Sequence, residues 1–336
     1  AFQIFLSVDN LLAVFLGVLI GTVVGAIPGM TTPMGVALVL PFTFTMQPVT
    51  GILLLLGVYK GGLYGGSITA ILIKAPGTPA ASCTVLDGFP MAQKGEARKA
   101  LDMALYASCF ADFISNLSLI LFTGVLATFA LRFGPPEFFT LIVFSLTIIA
   151  GVSGDSLAKG ILSACLGLVL ATIGLDIIYG TNRFVFGEVE LMAGLSFIPV
   201  LIGLFGLAEI LRVLPQKSPP KIPSDVGRVL PSLNTLIRYV RPSLRSGIIG
   251  TIIGAIPGAG ANVASFFAYD VGRRRASKEE RGKWGKGSYE AIVCAEVANN
   301  ANVGGSMLPT LALGIPGNAA AAAILAALQL KNVVVG

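Results

Sequence analysis

The chain has 336 residues, of which 54% are apolar and 12% are charged, with a formal net charge of +6 and no histidine. A soluble domain has about 25% charged residues, so this composition and the mean hydropathy of +0.85 exclude an ordinary soluble protein and indicate an integral membrane protein. The lack of histidine excludes Ser-His-Asp and Cys-His nucleophile systems, HExxH zinc sites and imidazole proton relays.

The chain divides into four predicted parts. Residues 1–103 form a first repeat, with an expected helical hairpin over 11–43 and a broken, membrane-crossing helix over 50–86. Residues 246–336 form a second repeat. A basic linker over 215–245 precedes it. Residues 104–214 hold four apolar runs that can each cross about 30 Å of hydrocarbon, at roughly 104–131, 137–153, 157–179 and 192–214.

Two stretches hold the positive charge. Residues 212–245 carry seven Lys or Arg and one acid, Asp225, and residues 273–286 carry seven basic and two acidic residues. Nucleic-acid binding would need several aromatic residues among these cations, and the two stretches hold only Tyr239 and Trp284. The excess of Lys and Arg instead predicts that both stretches are cytoplasmic loops.

The two repeats share their sequence motifs. Residues 21–29 read GTVVGAIPG and residues 250–258 read GTIIGAIPG, while the Gly-Gly-Ser triplets at 65–67 and 304–306 are each followed by a second Pro-Gly. Proline removes a backbone donor and glycine allows a positive φ, so each Pro-Gly is expected to break a membrane helix. The freed backbone groups must then face protein or a wet cavity. Interruptions at matching places in two halves are typical of a transporter's binding site.

The orientation of the repeats follows from the topology. Segment 246–271 lies between two cytoplasmic stretches and is too short for two full spans, so we expect a re-entrant hairpin there. An odd number of crossings between the two hairpins then inverts one repeat relative to the other. The predicted fold is an all-α polytopic membrane protein with inverted repeats and helices broken at the Pro-Gly motifs.

Several motifs resemble those of the TctA family, the large permease of the tripartite tricarboxylate transporters. The likeness spans essentially the whole chain and is carried by GAIPG at 25–29, YGGSITAIL at 64–72, LDGFPMA at 86–92, RFGPPE at 132–137, GLFGLAEI at 203–210, GAIPGAG at 254–260, EVANNA at 296–301 and LALGIPG at 311–317. Permeases of this family are longer, so the second repeat is expected to be incomplete at Gly336.

The resemblance implies a secondary carrier of the bacterial inner membrane rather than an enzyme. It implies ion-coupled uptake of a di- or tricarboxylate such as citrate, an elevator-like motion, and two partners: a small membrane subunit of the TctB type and a periplasmic binding protein of the TctC type. The implied coupling ion is Na⁺, with H⁺ as the alternative, and no cofactor is expected. A homodimer is left open.

A carboxylate needs donors and positive potential, which helix N-termini supply. We therefore expect the substrate at the small residues after the second break of each repeat. The alternative is close helix packing through small residues. The candidate substrate ligands there are Gly77, Thr78, Ser82, Pro316, Gly317 and Asn318.

Lys74 is a further candidate substrate ligand because it lies in an apolar stretch, where charged residues are usually functional. The resemblance implies Asn at this position, so Lys74 is a departure, and its ammonium group would take the place of one coupling cation. The alternative is a side chain that reaches the membrane interface.

Candidate cation ligands offer backbone, hydroxyl, amide or carboxylate oxygens near the breaks. Among the acids, Glu296 is favoured over Asp112 and Asp270 for coupling. The alternative for the uncharged residues is hydrogen bonding between helices. The set is Pro28, Gly29, Thr31, Thr32, Gly258, Asn262, Ser265, Glu296, Asn299, Asn302 and Ser306.

Other functions remain as alternatives. A self-sufficient anion carrier would work without a binding protein. An intramembrane enzyme would need a pair of acids or a nucleophile with a base, and no such motif is present. A channel fits broken inverted repeats less well than a carrier does.

Overall fold

The computed structural model describes residues 6–27, 29–130, 157–176, 180–195 and 233–333, with isolated positions between 132 and 143 and at 200, 211 and 335. Pro28, most of the predicted spans 137–153 and 192–214, and linker residues 215–232 lie outside the described residues. Within the described part the regular structure is helical apart from one short β-hairpin. The predicted all-α class is confirmed.

The first repeat begins with two helices on either side of the first break and continues with a long helix, the second break and a short helix. A 3₁₀ turn, Leu40–Thr45, separates the second helix from the third. The helices are α1 (Val8–Ala26), α2 (Thr32–Val39), α3 (Pro48–Ile73) and α4 (Ser82–Gln93).

The rest of the chain repeats this order after a middle region. The middle region holds helices α5 (Ala97–Ala130) and α6 (Leu157–Ala171), strands β1 (Gly174–Leu175) and β2 (Asn182–Arg183), and the 3₁₀ turn Val189–Ala193. The predicted linker 215–245 holds the helix α7 (Leu233–Arg238) and the start of α8 (Val240–Gly254). The second repeat continues with α9 (Gly260–Arg275), α10 (Lys278–Arg281), α11 (Tyr289–Leu313) and α12 (Ala319–Leu330).

Three described helices are long and apolar enough to cross a membrane: α1, α3 and residues 97–128 of α5. Large apolar side chains on the outer faces of α1 and α5 are exposed, including Phe15 at 64% and Ile120 at 77%. In water such a surface would be costly, whereas hydrocarbon accepts it. The chain is therefore a membrane protein.

The predicted span 157–179 differs from the structure at its carboxyl end. Helix α6 ends at Ala171, and the chain then turns into the antiparallel pair β1–β2. An ion pair between Asp176 and Arg183 closes this hairpin. Gly174, with a φ of 126°, adopts a conformation that a helix cannot contain, so the helix stops before it.

The packing of glycines shows which residues of the two repeats are equivalent. A Cβ on Gly25 would lie 2.0 Å from the carbonyl oxygen of Gly62, and one on Gly254 would lie 2.7 Å from that of Asn302. Close backbone packing between α1 and α3 therefore recurs between α8 and α11. In this pattern Gly65 matches Gly305, so the structure shifts the Gly-Gly-Ser alignment by one residue.

The second break has the same geometry in both repeats. Lys74 caps the carboxyl end of α3 with a φ of 58°, and Gly314 caps that of α11 with a φ of 66°. The left-handed conformation at a helix end lets the next N–H bond back into the last turn, and glycine adopts it most easily. The N–H of Ala75 accordingly donates to the carbonyl oxygen of Thr69. The broken-helix prediction is confirmed here, while the membrane orientation of each repeat stays a prediction.

The repeats are packed into each other. One core cluster joins Val36 and Leu55 of the first repeat to Ile324 of α12, and another joins Met91 of α4 to Ile292 of α11. Because both cores draw on both repeats, neither repeat buries its apolar surface alone.

Asp87 on α4 links the repeats through polar contacts. Its carboxylate is 1% exposed, and Oδ1 accepts backbone N–H bonds from Gly285, Gly287 and Ser288 at 2.8–3.0 Å, while Oδ2 accepts from the Tyr269 hydroxyl at 2.8 Å. Ser288 is the N-cap of α11. A side chain of the first repeat thus stabilises the start of the longest helix in the second.

Asp87→Ala is expected to destabilise the protein by about 3 kcal/mol, because three backbone N–H groups, one of them on the buried Ser288, lose their acceptor. Asp87→Asn keeps one acceptor oxygen and should cost less. Thermal unfolding of the purified protein in detergent measures both. The control is Asp270→Ala, which removes an exposed pair with Arg274 and should change the midpoint little. An equal effect of Asp87→Ala and Asp270→Ala would contradict this role.

Candidate functional site

All four Pro-Gly breaks lead to one cavity. Its volume is about 330 Å³, which is within the range of small-molecule sites. The lining comes from the segment after each break, with Tyr59 and Leu63 of α3 completing the wall. The lining residues are Thr31, Thr32, Pro33, Tyr59, Leu63, Thr78, Pro79, Ala80, Gly258, Ala259, Gly260, Ala261, Asn262, Asn318, Ala319 and Ala320.

Helix N-termini surround this cavity. Helices α2 and α9 begin at Thr32 and Gly260 without a side-chain cap, and α12 begins at Ala319 with Asn318 as its cap. Helix α4 begins at Ser82, just after the lining residues 78–80. Uncapped N–H groups and the helix dipole attract anions. The breaks therefore place positive potential around the cavity from several directions.

None of the lining residues is charged. Their polar groups are the hydroxyls of Thr31, Thr32, Thr78 and Tyr59 and the amides of Asn262 and Asn318. The Thr32 hydroxyl oxygen is buried and has no hydrogen-bond partner among the described residues. Such an arrangement suits an anionic or strongly polar ligand that is held by dipoles and hydrogen bonds rather than by ion pairs.

Asn318 connects the repeats at the cavity wall. Its Nδ2 donates to the Tyr59 hydroxyl at 2.7 Å and approaches Asn302 Oδ1 at 3.4 Å, and its Oδ1 accepts the N–H of Ala321 at 3.0 Å. The Tyr59 hydroxyl also lies 3.4 Å from Ser306 Oγ. The Asn318 side chain is therefore held in a fixed orientation.

The predicted substrate ligands fall into two groups. Thr78 and Asn318 line the cavity, while Gly77, Ser82, Pro316 and Gly317 adjoin the lining residues in the chain but are not part of the lining. Gly77 lies against the backbone of Gly25. Gly77 therefore allows close backbone packing behind the cavity wall. Direct ligand contact by Gly77, Ser82, Pro316 and Gly317 stays a prediction.

Lys74 lies outside the cavity lining. It is the residue that caps the carboxyl end of α3, its side chain is exposed, and its Nζ is 5.7 Å from the centre of the Phe89 ring. A cation above an aromatic face is weakly stabilised. A role of Lys74 in binding substrate or replacing a cation stays a prediction.

The predicted cation ligands separate into three places. Thr31, Thr32, Gly258 and Asn262 line the cavity, with Gly29 just before them, and Ser265 lies buried one turn into α9, where its hydroxyl donates to the carbonyl oxygen of Ala261. Asn302 and Ser306 belong to the network around Asn318 and Tyr59. Glu296 and Asn299 form a separate cluster, and Pro28 lies outside the described residues.

The cluster around Glu296 joins both repeats. The carboxylate is 0% exposed, and its Oε1 accepts from Ser67 Oγ at 2.7 Å and from the Thr84 hydroxyl. Asn300 Nδ2 lies 3.5 Å from Oε2 and 2.9 Å from Ser108 Oγ on α5. Helices α3, α4 and α5 thus meet α11 at one buried acid.

Sequence reasoning missed Tyr59, Ser67, Thr84 and Lys60. Lys60 lies in the middle of α3, where its Nζ contacts Asp112 Oδ1 on α5 at 2.8 Å. Its position in an apolar run was the signal that singled out Lys74, and it applies equally to Lys60.

The described residues contain no cluster of His, Cys, Asp or Glu suited to a transition metal.

Comparison with known proteins gives a consistent picture. The family model described as "Tripartite tricarboxylate transporter TctA family" matches residues 11–336. A 52.8 kDa protein of the TAR-I ttuC' 3' region of Agrobacterium vitis is 39% identical over 338 aligned positions, which cover 100% of this chain and 66% of that protein. A second Agrobacterium vitis protein, of the TAR-II ttuC' 3' region, is 37% identical over 87 residues, 26% of this chain and 35% of that protein. The chain thus spans at most about two thirds of these relatives, and no solved structure matches it.

Proposed function

Because the chain belongs to the tripartite tricarboxylate transporter TctA family, we propose that it forms the part of the permease that binds a di- or tricarboxylate such as citrate and moves it into the cell by ion-coupled secondary transport. The observation that carries this proposal is the convergence of all four Pro-Gly breaks on one uncharged cavity.

Helix N-termini explain how such a cavity can bind a multiply charged anion. Each N-terminus offers partial positive charge and free N–H groups without the desolvation of a whole ammonium or guanidinium group. The Thr78 hydroxyl and the orphan hydroxyl of Thr32 supply further donors. Donors from both repeats would contact opposite ends of a carboxylate with two or more acidic groups.

Alternating access is the transport mechanism that this geometry favours. The cavity is built from two equivalent broken-helix units, so a shift of one wall relative to the other would expose the ligand to one side of the membrane at a time. By family membership we further propose the bacterial inner membrane as the location, a TctB-type small subunit and a TctC-type periplasmic binding protein as partners, and Na⁺ as the coupling ion.

An uptake experiment tests this function. The full-length protein is expressed in cells that lack carboxylate uptake, with and without the small subunit and the binding protein, and is offered a panel of labelled di- and tricarboxylates. We expect saturable uptake that needs the partners. Uptake by the permease alone would favour a self-sufficient carrier, and no uptake of any carboxylate under either condition would refute the proposal.

Thr78→Val tests the cavity itself. Valine keeps the shape of threonine but loses one donor to a charged ligand, so the half-saturation concentration should rise roughly tenfold. Thr43→Val is the control, because the Thr43 hydroxyl is also buried but donates to Leu40 away from the cavity. Lys74→Ala in the same assay shows whether the ammonium group contributes to binding. Equal uptake by the two threonine variants would contradict substrate contact at Thr78.

A further inference from the structure

Glu296 is a buried acid without a basic partner. Its side chain is 0% exposed, and no Lys or Arg of the described residues forms an ion pair with it. An isolated carboxylate in a membrane protein interior is costly unless a bound cation balances its charge or a proton neutralises it. The cavity does not require this group, since Glu296 is not among its lining residues.

The atoms around Glu296 are the kind that hold an alkali cation. Ser67 Oγ and Thr84 Oγ1 of the first repeat contact the carboxylate oxygen Oε1. Asn299 is 0% exposed and lies one turn beyond Glu296 on α11, and neither its Oδ1 nor its Nδ2 has a hydrogen-bond partner among the described residues. Hydroxyl, amide and carboxylate oxygens are ligands that hard cations prefer.

We propose that Glu296, Ser67, Thr84 and Asn299 form a Na⁺ site. One Na⁺ would neutralise the carboxylate and would be coordinated by Asn299 Oδ1, which otherwise has no hydrogen-bond partner in the described part of the chain. A hydroxyl can accept as well as donate, and Ser67 Oγ has a second acceptor at 3.4 Å in the carbonyl oxygen of Leu63. Its proton can therefore turn to Leu63 while its oxygen binds the ion.

The site lies next to the cavity wall. Ser67 follows Gly66, which packs so tightly against Thr78 that an added Cβ on Gly66 would lie 2.8 Å from the Thr78 hydroxyl oxygen. On the other side, Asn299 lies one turn from Asn302, which contacts Asn318. An ion that fixes α3, α4 and α11 together would therefore fix both Thr78 and Asn318. This coupling role rests on the proposed function, whereas ion binding itself does not.

Thermal unfolding of the full-length protein in detergent tests the site without substrate. Na⁺ that binds only the folded state raises the midpoint in a saturable way. We expect such a rise with NaCl, compared with choline chloride at equal ionic strength. Glu296→Gln should abolish it. Glu290→Gln is the matched control: Glu290 lies in the first turn of the same helix, 3.8 Å from the Arg245 guanidinium, and the Na⁺ effect should persist in that variant.

Two milder variants keep the test decisive if Glu296→Gln does not fold. Ser67→Ala and Thr84→Val each remove one ligand oxygen and should raise the half-saturating Na⁺ concentration by at least about tenfold. An unchanged Na⁺ response in these variants, or in Glu296→Gln, would overturn the site. So would a wild-type midpoint that responds to low pH but not to Na⁺. Na⁺ stabilisation without any carboxylate uptake would support the site and refute the proposed function.

Discussion

Asn262→Asp is expected to reduce carboxylate uptake on the order of 100-fold. Asn262 lines the cavity in the first turn of α9, and its side chain is exposed, so an aspartate of the same shape should not disturb folding. The new charge would occupy the positive end of α9 and repel the substrate. Two unit charges about 5 Å apart in an environment of effective dielectric constant about 20 interact by roughly 3 kcal/mol.

The measurement is the half-saturation concentration for uptake together with the surface expression of each variant. Asn182→Asp is the matched control, because Asn182 is exposed on the β-hairpin and does not line the cavity. Its uptake should equal that of the wild type. If Asn262→Asp transports as well as Asn182→Asp, the substrate does not bind near the start of α9.

Local sequence was sufficient to locate the breaks. Proline and glycine act on their own backbone, so the ends of α3 and α11 and the starts of α4 and α12 follow from residues 74–82 and 314–319 without knowledge of the fold. Because the sequence is duplicated, the same breaks are predicted independently in each repeat. The assignment as a membrane protein followed equally directly, since apolar runs of this length are typical of transmembrane helices.

Contacts between the repeats could not be predicted in this way. Ser67 and Glu296 are 229 residues apart, and Tyr59 and Asn318 are 259 apart. Which hydroxyl meets which acid depends on how two helix pairs interlock, and neither helix carries that information alone. Glu296 was therefore identified as an unusual acid, while its partners Ser67 and Thr84 were not.

The one-residue shift of the Gly-Gly-Ser alignment has a similar cause. Sequence identity favours pairing Gly65 with Gly304, but packing requires a glycine where α3 meets the Thr22 carbonyl and where α11 meets the Thr251 carbonyl. Those glycines are Gly65 and Gly305. Close packing of the backbone, rather than sequence identity, determines which glycines of the two repeats are equivalent.

Gly77→Ala is expected to leave most of the expressed protein molecules misfolded. A Cβ on Gly77 would lie 1.8 Å from the carbonyl oxygen of Gly25 and 2.9 Å from the Cα of Gly66. Both obstacles are backbone in packed helices, so no side chain can move aside, and the cost should exceed the upper end of the about 1–3 kcal/mol usual for overpacking. The yield of monodisperse protein in size-exclusion chromatography and its thermal midpoint measure the effect.

Two other glycines set the scale for this result. Gly317 is equivalent to Gly77, but a Cβ there would lie 2.6 Å from Ser306 at its nearest, so Gly317→Ala should destabilise less. Gly124 in α5 has nothing within 4 Å of an added Cβ, and Gly124→Ala should be neutral or stabilise by up to about 1 kcal/mol, since alanine favours helix more than glycine. The expected order of midpoints is Gly124→Ala, then Gly317→Ala, then Gly77→Ala. If Gly77→Ala folds as well as Gly124→Ala, the first and second breaks of the first repeat do not pack against each other, and the cavity between them is not built as described.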